Sequence, residues 1–334
     1  MGTPRSEGDW RSGLHDGPGV SIQRILFPTD FSEHAAAAWP YAAGLAREDG
    51  AELHVLHVVA PLAISASADG TVLWPPTLVD DLLAEAQAVV DELAGSVRTL
   101  GVETRTHTSF GDAAAEIVAY AAAQQIGLIV MATTGRTGLA HVVMGSVAEQ
   151  VVRQAACPVL TVRHAGAAAP ARLTPGALPR LRRILVPLDG SRLAEAVLPH
   201  IVRLAKRQGA ELTLLRVAHA HALREADLAE AQVRVVQEAE MYLAGVASCL
   251  AAEGVRASPV VRYGGGTPEA ILDDIQVRRP DLVAMSTHGH TGLTHLLLGS
   301  VAEQVLRASP VPVLLFPARA LGELPADAQA GPPA

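Results

Sequence analysis

Two glycine-spaced segments hold the residues whose types and spacing suit chemistry on a ligand. Met131 to Gln150 reads MATTGRTGLAHVVMGSVAEQ, and Met285 to Gln304 reads MSTHGHTGLTHLLLGSVAEQ; they agree at 13 of 20 positions. Each leaves an apolar stretch, passes through Gly135 and Gly138 or Gly289 and Gly292, and ends in Gly145-Ser146 or Gly299-Ser300 at the start of a helical pattern. A glycine lacks the Cβ that would block a close backbone approach, and a Gly-Ser pair opening a helix offers N–H groups and a hydroxyl at the positive end of the dipole. Phosphate is the guest that fits this chemistry. A second reading stays open beside it: Ser146-Val147-Ala148-Glu149 and Ser300-Val301-Ala302-Glu303 fit a capping box, in which Ser and Glu satisfy the helix-end amides with no ligand.

An acid accompanies each segment. Asp30 follows Ile25-Leu26-Phe27-Pro28-Thr29, and Asp189 follows Ile184-Leu185-Val186-Pro187-Leu188. Either carboxylate can accept from a ribose or base donor, and the apolar ends of the second and fourth strands can hold a base.

These residues need elements to position them. Ile25–Asp30 reads as a short buried strand with Ser32 capping the following helix, whose Ala35, Ala38, Trp39, Ala42 and Leu45 share one face. Gly50 closes that helix and Leu53–Val59 is a second strand. A helix over 78–100 follows, with Leu82, Ala86, Val89, Leu93 and Val97 as its packing face. Val102–Thr108 is polar enough for an edge strand, Asp112 caps a helix to Gln125, and Leu128–Met131 is a strand buried on both faces. After the glycine segment, a helix over 146–154 leads to the strand Pro158–Val162. This alternation predicts a parallel, doubly wound α/β sheet, with ligand bound beyond the carboxyl ends of strands one and four.

The pattern then restarts. Asp30 recurs as Asp189 at an offset of 159 residues, and Gly135 as Gly289 at 154, so the five lost residues fall between the second and third strands. Two tandem Rossmann-like domains are expected, at 21–164 and 181–318, with a linker over 165–180 and disordered tails at 1–20 and 319–334. The 334-residue length agrees with two domains of about 150 residues each.

A net charge of −8 disfavours nucleic acid or an anionic membrane surface as partner. No stretch approaches about 20 apolar residues, and Cys157 and Cys249 fall in different halves, so a cytoplasmic protein without a disulfide framework is expected. There is no Gly-Lys-Ser or Gly-Lys-Thr P-loop, no dinucleotide fingerprint, and no cluster of nucleophile, base and orienting acid.

The ILFPTDFSEHA and ILVPLDGS starts, the glycine segments running into GSVAEQV, and the CPVL and VPVL final strands resemble the universal stress protein family, over about 22–163 and 182–316. ATP-binding members carry Gly, two residues, Gly, nine residues, then Gly-Ser or Gly-Thr. Here the nine-residue spacing is kept, while Ala132 and Ser286 replace the first glycine; the second copy has His288 before the middle glycine and the first has Thr134. The resemblance implies strand order 3-2-1-4-5 with helices on both faces, and ATP with Mg2+ as ligand. The adenosine would meet Asp30 and Asp189, with Val58 and Val217 at the strand-two ends. The phosphates would meet Gly135, Gly145, Ser146 and Val147, and Gly289, Gly299, Ser300 and Val301; Pro28, Thr29, Met131, Pro187, Leu188, Met285 and His288 complete the nucleotide-binding residues implied. The role implied is a cytoplasmic stress-response sensor or regulator, pairing through the fifth strands within a chain or in a homodimer. An interaction scaffold of the same fold that binds no nucleotide, or a slow ATPase, are the alternatives.

Overall fold

The computed structural model describes residues 22–61, 76–134, 144–164, 174, 178–219, 228–287 and 298–321. The tail expected at 1–20 and most of the expected linker and second tail lie outside the described residues; Ala318–Leu321, where the second tail begins, forms a turn of 3-10 helix. The chain divides into two compact units, Ser21–Pro179 and one that begins again at Arg180.

The first unit runs β1 (Arg24–Pro28), α1 (Glu33–Asp49), β2 (Glu52–Val59), α2 (Pro76–Arg98), β3 (Thr104–Phe110), α3 (Ala113–Ala123), β4 (Leu128–Ala132), α4 (Ser146–Gln154) and β5 (Val159–Val162). Its strands lie in the order β3-β2-β1-β4-β5, and every pairing is parallel. Ile25, Leu26, Ile129 and Val130 are each within 1% of complete burial, which only a sheet covered on both sides allows. Neighbouring residues of β3 show the two layers. Thr106 donates to Asp91 of α2 at 2.6 Å, whereas the His107 ring stacks on Tyr120 of α3 at 5.2 Å.

Local chemistry sets the helix ends. The Ser32 hydroxyl accepts from Ala35 N at 3.1 Å, and the Asp112 carboxylate accepts from Ala115 N at 2.9 Å, as the cap signals predict. Gly50, at φ 62°, closes α1 in the left-handed conformation that glycine adopts without steric cost. The expected faces fare differently. All five residues assigned to the α1 face are buried. On α2 the buried residues are Ala86, Val90, Ala94 and Val97, while Val89, expected inside, is 42% exposed.

The second unit repeats the plan with β6 (Arg183–Pro187), α5 (Arg192–Glu195), α6 (Leu198–Gln208), β7 (Glu211–Ala218), α7 (Leu228–Ala252), β8 (Ala257–Tyr263), α8 (Thr267–Arg278), β9 (Leu282–Ser286), α9 (Ser300–Ala308) and β10 (Val313–Phe316). Its order is β8-β7-β6-β9-β10, parallel throughout. The expected order of 3-2-1-4-5 therefore holds in each unit. The first helix is broken here into α5 and α6, with Pro199 in the first turn of α6, whereas Pro40 at the matching place lies inside an unbroken α1.

A buried ion cluster ties α8 to the edge strand β8. The Asp274 carboxylate is wholly out of solvent and accepts from Arg262 Nε at 2.9 Å, Arg262 Nη2 at 2.8 Å and Arg278 Nε at 2.9 Å. Burial by itself raises the Asp274 pKa, but the hydrogen bonds from Arg262 and Arg278 outweigh it and hold the group below the usual carboxylate value. Asp274→Ala is expected to cost about 1.5 kcal/mol in urea unfolding at pH 7, less than for a fully buried pair because both arginines reach water. That contribution is fully present above the unfolded carboxylate value of 3.8 and is lost as pH falls through the lower folded one.

Candidate functional site

In each unit the sheet order reverses between its first and fourth strands, so β1/β4 and β6/β9 each open a crevice at their carboxyl ends. Pro28 closes β1, and Thr29 N donates to Leu56 O at 2.8 Å. Asp30 then accepts on one oxygen from Ser32 N at 3.0 Å and from the Ser32 hydroxyl at 2.6 Å. The same serine caps α1, so the acid is fixed by the helix it precedes. In the second unit Leu188 N donates to Leu215 O at 2.8 Å, and Asp189 accepts from Ser191 N at 2.9 Å beside Pro187.

Val58 and Val217, near the ends of β2 and β7, are half-buried. Met131 and Met285, one residue before the ends of β4 and β9, are 5% and 7% exposed. Thr133 N then donates to Val162 O at 3.0 Å, and Thr287 N to Phe316 O at 3.0 Å. Gly145 N returns a hydrogen bond to Thr133 O at 2.7 Å, and Gly299 N to Thr287 O at 2.8 Å. One hydrogen bond thus pins the two ends of each glycine segment together. Gly135, Gly138, Gly289, Gly292 and His288 lie outside the described residues.

The helix starts bear on the capping-box reading. Gly145 and Gly299 occupy the N-caps of α4 and α9, and neither cap makes a side-chain hydrogen bond. Ser146 and Ser300 are the first helical residues, so the capping box that their spacing allows does not form. The glutamates have other partners: Glu149 accepts from Arg153 and Glu303 from Arg307, each at 2.8 Å across one helical turn. Backbone angles add a further point. Gly145 sits at φ −74°, ψ 148° and Gly299 at φ −60°, ψ 145°, extended conformations open to any residue. Glycine is therefore not demanded there by the backbone. Ser146 and Ser300 are exposed at this opening, with Val147 and Val301 half-buried behind them. In the first unit the Thr133 hydroxyl, on a residue 3% exposed, has no hydrogen-bond partner among the described residues.

Several residues at these crevices carry no signal in the sequence. Phe31, at φ 62°, stacks on His57 at 4.3 Å, and His57 Nδ1 contacts Thr29 O at 2.7 Å. His54 meets Tyr120 and Glu52 instead, so the two histidines face opposite sides of β2 as their odd spacing requires. His34 Nδ1 lies 3.3 Å from the Thr134 hydroxyl, with the His164 ring edge-on at 5.0 Å. At the corresponding place in the second unit, Arg216 lies 4.7 Å over the Tyr242 ring. Burial raises the pKa of Glu195 there; Tyr242 and Arg216 pull it back and Asp189 raises it further. Cys157 offers no nucleophile, because burial pushes its thiol up to about 12.

Among the described residues no helix is long and apolar enough to cross a membrane, and both cysteines are unpaired. A universal stress protein of Mycobacterium tuberculosis, Rv2005c, is 29% identical over 306 residues, which cover 84% of this chain and 92% of that protein. Universal stress protein MJ0531 of Methanocaldococcus jannaschii is 37% identical over 144 residues, 42% of this chain and 82% of that protein. The crystal structure of a universal stress protein from Archaeoglobus fulgidus superposes with a TM-score of 0.65 at 23% identity, covering 89% of this chain and 98% of that one, a likeness of fold. The profile of the universal stress protein family matches residues 21–163 and again 180–317. The chain belongs to the universal stress protein family.

Proposed function

We propose that each unit binds ATP at the carboxyl ends of its first and fourth strands, and that nucleotide occupancy is the state this protein reports as a cytoplasmic stress-response regulator. The observation that carries this reading is the pair of helix starts at Gly145 and Gly299, which lack a side-chain cap and hold glycines that the backbone does not require. Amide groups there point at whatever fills the opening, and the helix dipole favours an anion. The capping box, one support of the scaffold alternative, does not form.

The residues fit the proposed ligand by their chemistry. Gly145, Ser146 and Val147, and Gly299, Ser300 and Val301, would take the phosphates, with Gly135, His288 and Gly289 assigned to them from the sequence. Asp30 or Asp189 would accept from the nucleoside, beside Pro28 and Thr29 or Pro187 and Leu188. Val58 with Met131, and Val217 with Met285, would wall the base. Mg2+ ordinarily keeps several waters and binds through substrate phosphates with one or two protein groups, so it needs no protein cage here.

Purified protein is expected to release ATP on denaturation. Chromatography of the supernatant, with protein removed, should show nucleotide approaching two equivalents per chain. A nucleotide-free supernatant together with an unchanged melting temperature in millimolar ATP would refute the reading. Pairing through the fifth strands, within the chain or in a homodimer, is part of the same proposal: β5 and β10 are both apolar and buried. Light scattering distinguishes the two: pairing within the chain keeps the mass at the 34.7 kDa of one chain, and a homodimer doubles it.

A further inference from the structure

The two crevices share an aspartate but are underpinned differently. At the offset of 159, Phe31, Ala36 and His57 of the first unit become Gly190, Glu195 and Arg216 in the second. In the first unit an aromatic stack fills the space below the turn after Asp30. In the second that space holds charge. The Arg216 guanidinium lies so close under the turn that a Cβ on Gly190 would stand 3.4 Å from both of its terminal nitrogens. Its other face covers the Tyr242 ring at 4.7 Å.

Gly190 is suited to this on two counts. Its φ of 81° is in the left-handed region, and its missing side chain leaves the room that the guanidinium takes. Phe31 accepts the same left-handed turn, at φ 62°, where β2 offers a flat imidazole on which its ring can lie. Each unit therefore pairs its turn residue with its strand residue. Phe goes with His, and Gly with Arg.

Arg216 is also the cation among the acids at this place. Asp189 on the turn, Glu195 at the end of α5 and Tyr242 on α7 all interact with one another electrostatically, and Arg216 opposes the repulsion among them. Among the described residues the buried Tyr242 hydroxyl has no hydrogen bond of good geometry; burial, and after it the nearby Glu195, raise its pKa. Without the guanidinium, the two carboxylates and the phenol would lose the counter-charge that Arg216 supplies.

We propose that Arg216 is the positioning residue of the second unit's site, holding the Asp189–Gly190 turn from below by the contact that Phe31 and His57 make in the first unit, so that the two sites are chemically distinct. This inference rests on the nucleotide reading. Its role is to set where Asp189 stands, and no contact between Arg216 and the ligand is required. Lysine is a poor substitute, because the planar guanidinium lies flat between a ring and a backbone turn.

The test uses the full chain carrying Gly145→Val, so that calorimetric ATP titration reads the second site alone. That parent is titrated first. On it, Arg216→Met is expected to weaken ATP about tenfold, the scale of one lost charged contact. Gly190→Phe alone should also weaken it, since the ring meets the guanidinium. The double change Gly190→Phe with Arg216→His installs the first unit's pair and is expected to restore affinity to within about threefold of the parent. An Arg216→Met variant that binds as the parent does would overturn the inference and leave the nucleotide reading intact. Weakening that the double change fails to rescue would overturn it as well, since charge at this place would then matter only to folding. An unmodified chain that binds no ATP removes both the nucleotide reading and this inference.

Discussion

The double variant Gly145→Val with Gly299→Val is expected to lose saturable ATP binding, with affinity falling at least about a hundredfold, or about 2.7 kcal/mol. Each glycine stands at an N-cap with extended backbone angles that valine adopts readily. The loss would therefore come from two methyl groups standing in front of the helix-start amides, where the phosphates must approach. Valine is a poorer N-cap than glycine, so a cost of about 1 kcal/mol of stability per site is expected as well. Binding and stability are thus separable: a chain that still melts cooperatively and no longer takes up ATP is the predicted outcome. Each single variant should remove one equivalent. Unchanged affinity in the double variant would mean that the uncapped helix starts are not where the ligand sits.

Acid stability should depend in part on one histidine outside both glycine segments. His200, on α6, packs its ring against Phe316 at 5.2 Å, and its Nδ1 faces Arg203 Nη2 at 3.3 Å. Burial disfavours the imidazolium, Arg203 repels it, and together they lower its pKa from 6.5 to about 4. A neutral Nδ1 accepts from the guanidinium; a protonated one cannot. The sign follows from which state binds the proton. Between about pH 6.5 and pH 4 the unfolded chain protonates this group and the folded one does not, so stability present at neutral pH is lost as pH falls across that window. The loss by pH 5 is about 2 kcal/mol. His200→Gln cannot titrate. Its urea-unfolding free energy should therefore fall between pH 7.5 and pH 5 by about 2 kcal/mol less than that of the unmodified chain. Equal falls in the two proteins would show that His200 is already solvated in the fold.

Much of this architecture was legible because it is local. Ser32 and Asp112 cap helices through contacts three residues long, and Gly50 closes one by its own conformation. The apolar runs Ile25–Phe27 and Leu128–Met131 are buried strands because nothing polar interrupts them. The strand order was not readable from such features and came through the resemblance of motifs. Where periodicity had two nearly equal solutions it misled: Val89 and Val90 are adjacent on α2, and the structure buries the second.

The site was legible at its acids and glycines and illegible where partners are far apart in the chain. A Ser-x-x-Glu spacing cannot reveal that the cap lies one residue earlier, on Gly145, or that Glu149 has Arg153 within reach one turn on. Phe31 in the left-handed region contradicts the ordinary preference of a bulky residue, and only its stack on His57 explains it. Arg216 reads as a charge at the end of the strand sequence LTLLRVA. Its partners Gly190 and Tyr242 lie 26 residues before and after it, and no pattern of period two or 3.6 connects them. Pro40 and Pro199 make the same point for the helices, since matching prolines leave one helix whole and divide the other.

Nucleotide occupancy is the claim on which the rest depends, and equilibrium dialysis of the full chain against labelled ATP with Mg2+ tests it most directly. Protein is first stripped of any bound nucleotide by unfolding and refolding. Saturable uptake that approaches two equivalents per chain and is displaced by unlabelled ATP is the expected result. Uptake that rises without saturation into the millimolar range, equal to that of the Gly145→Val, Gly299→Val variant, would contradict it.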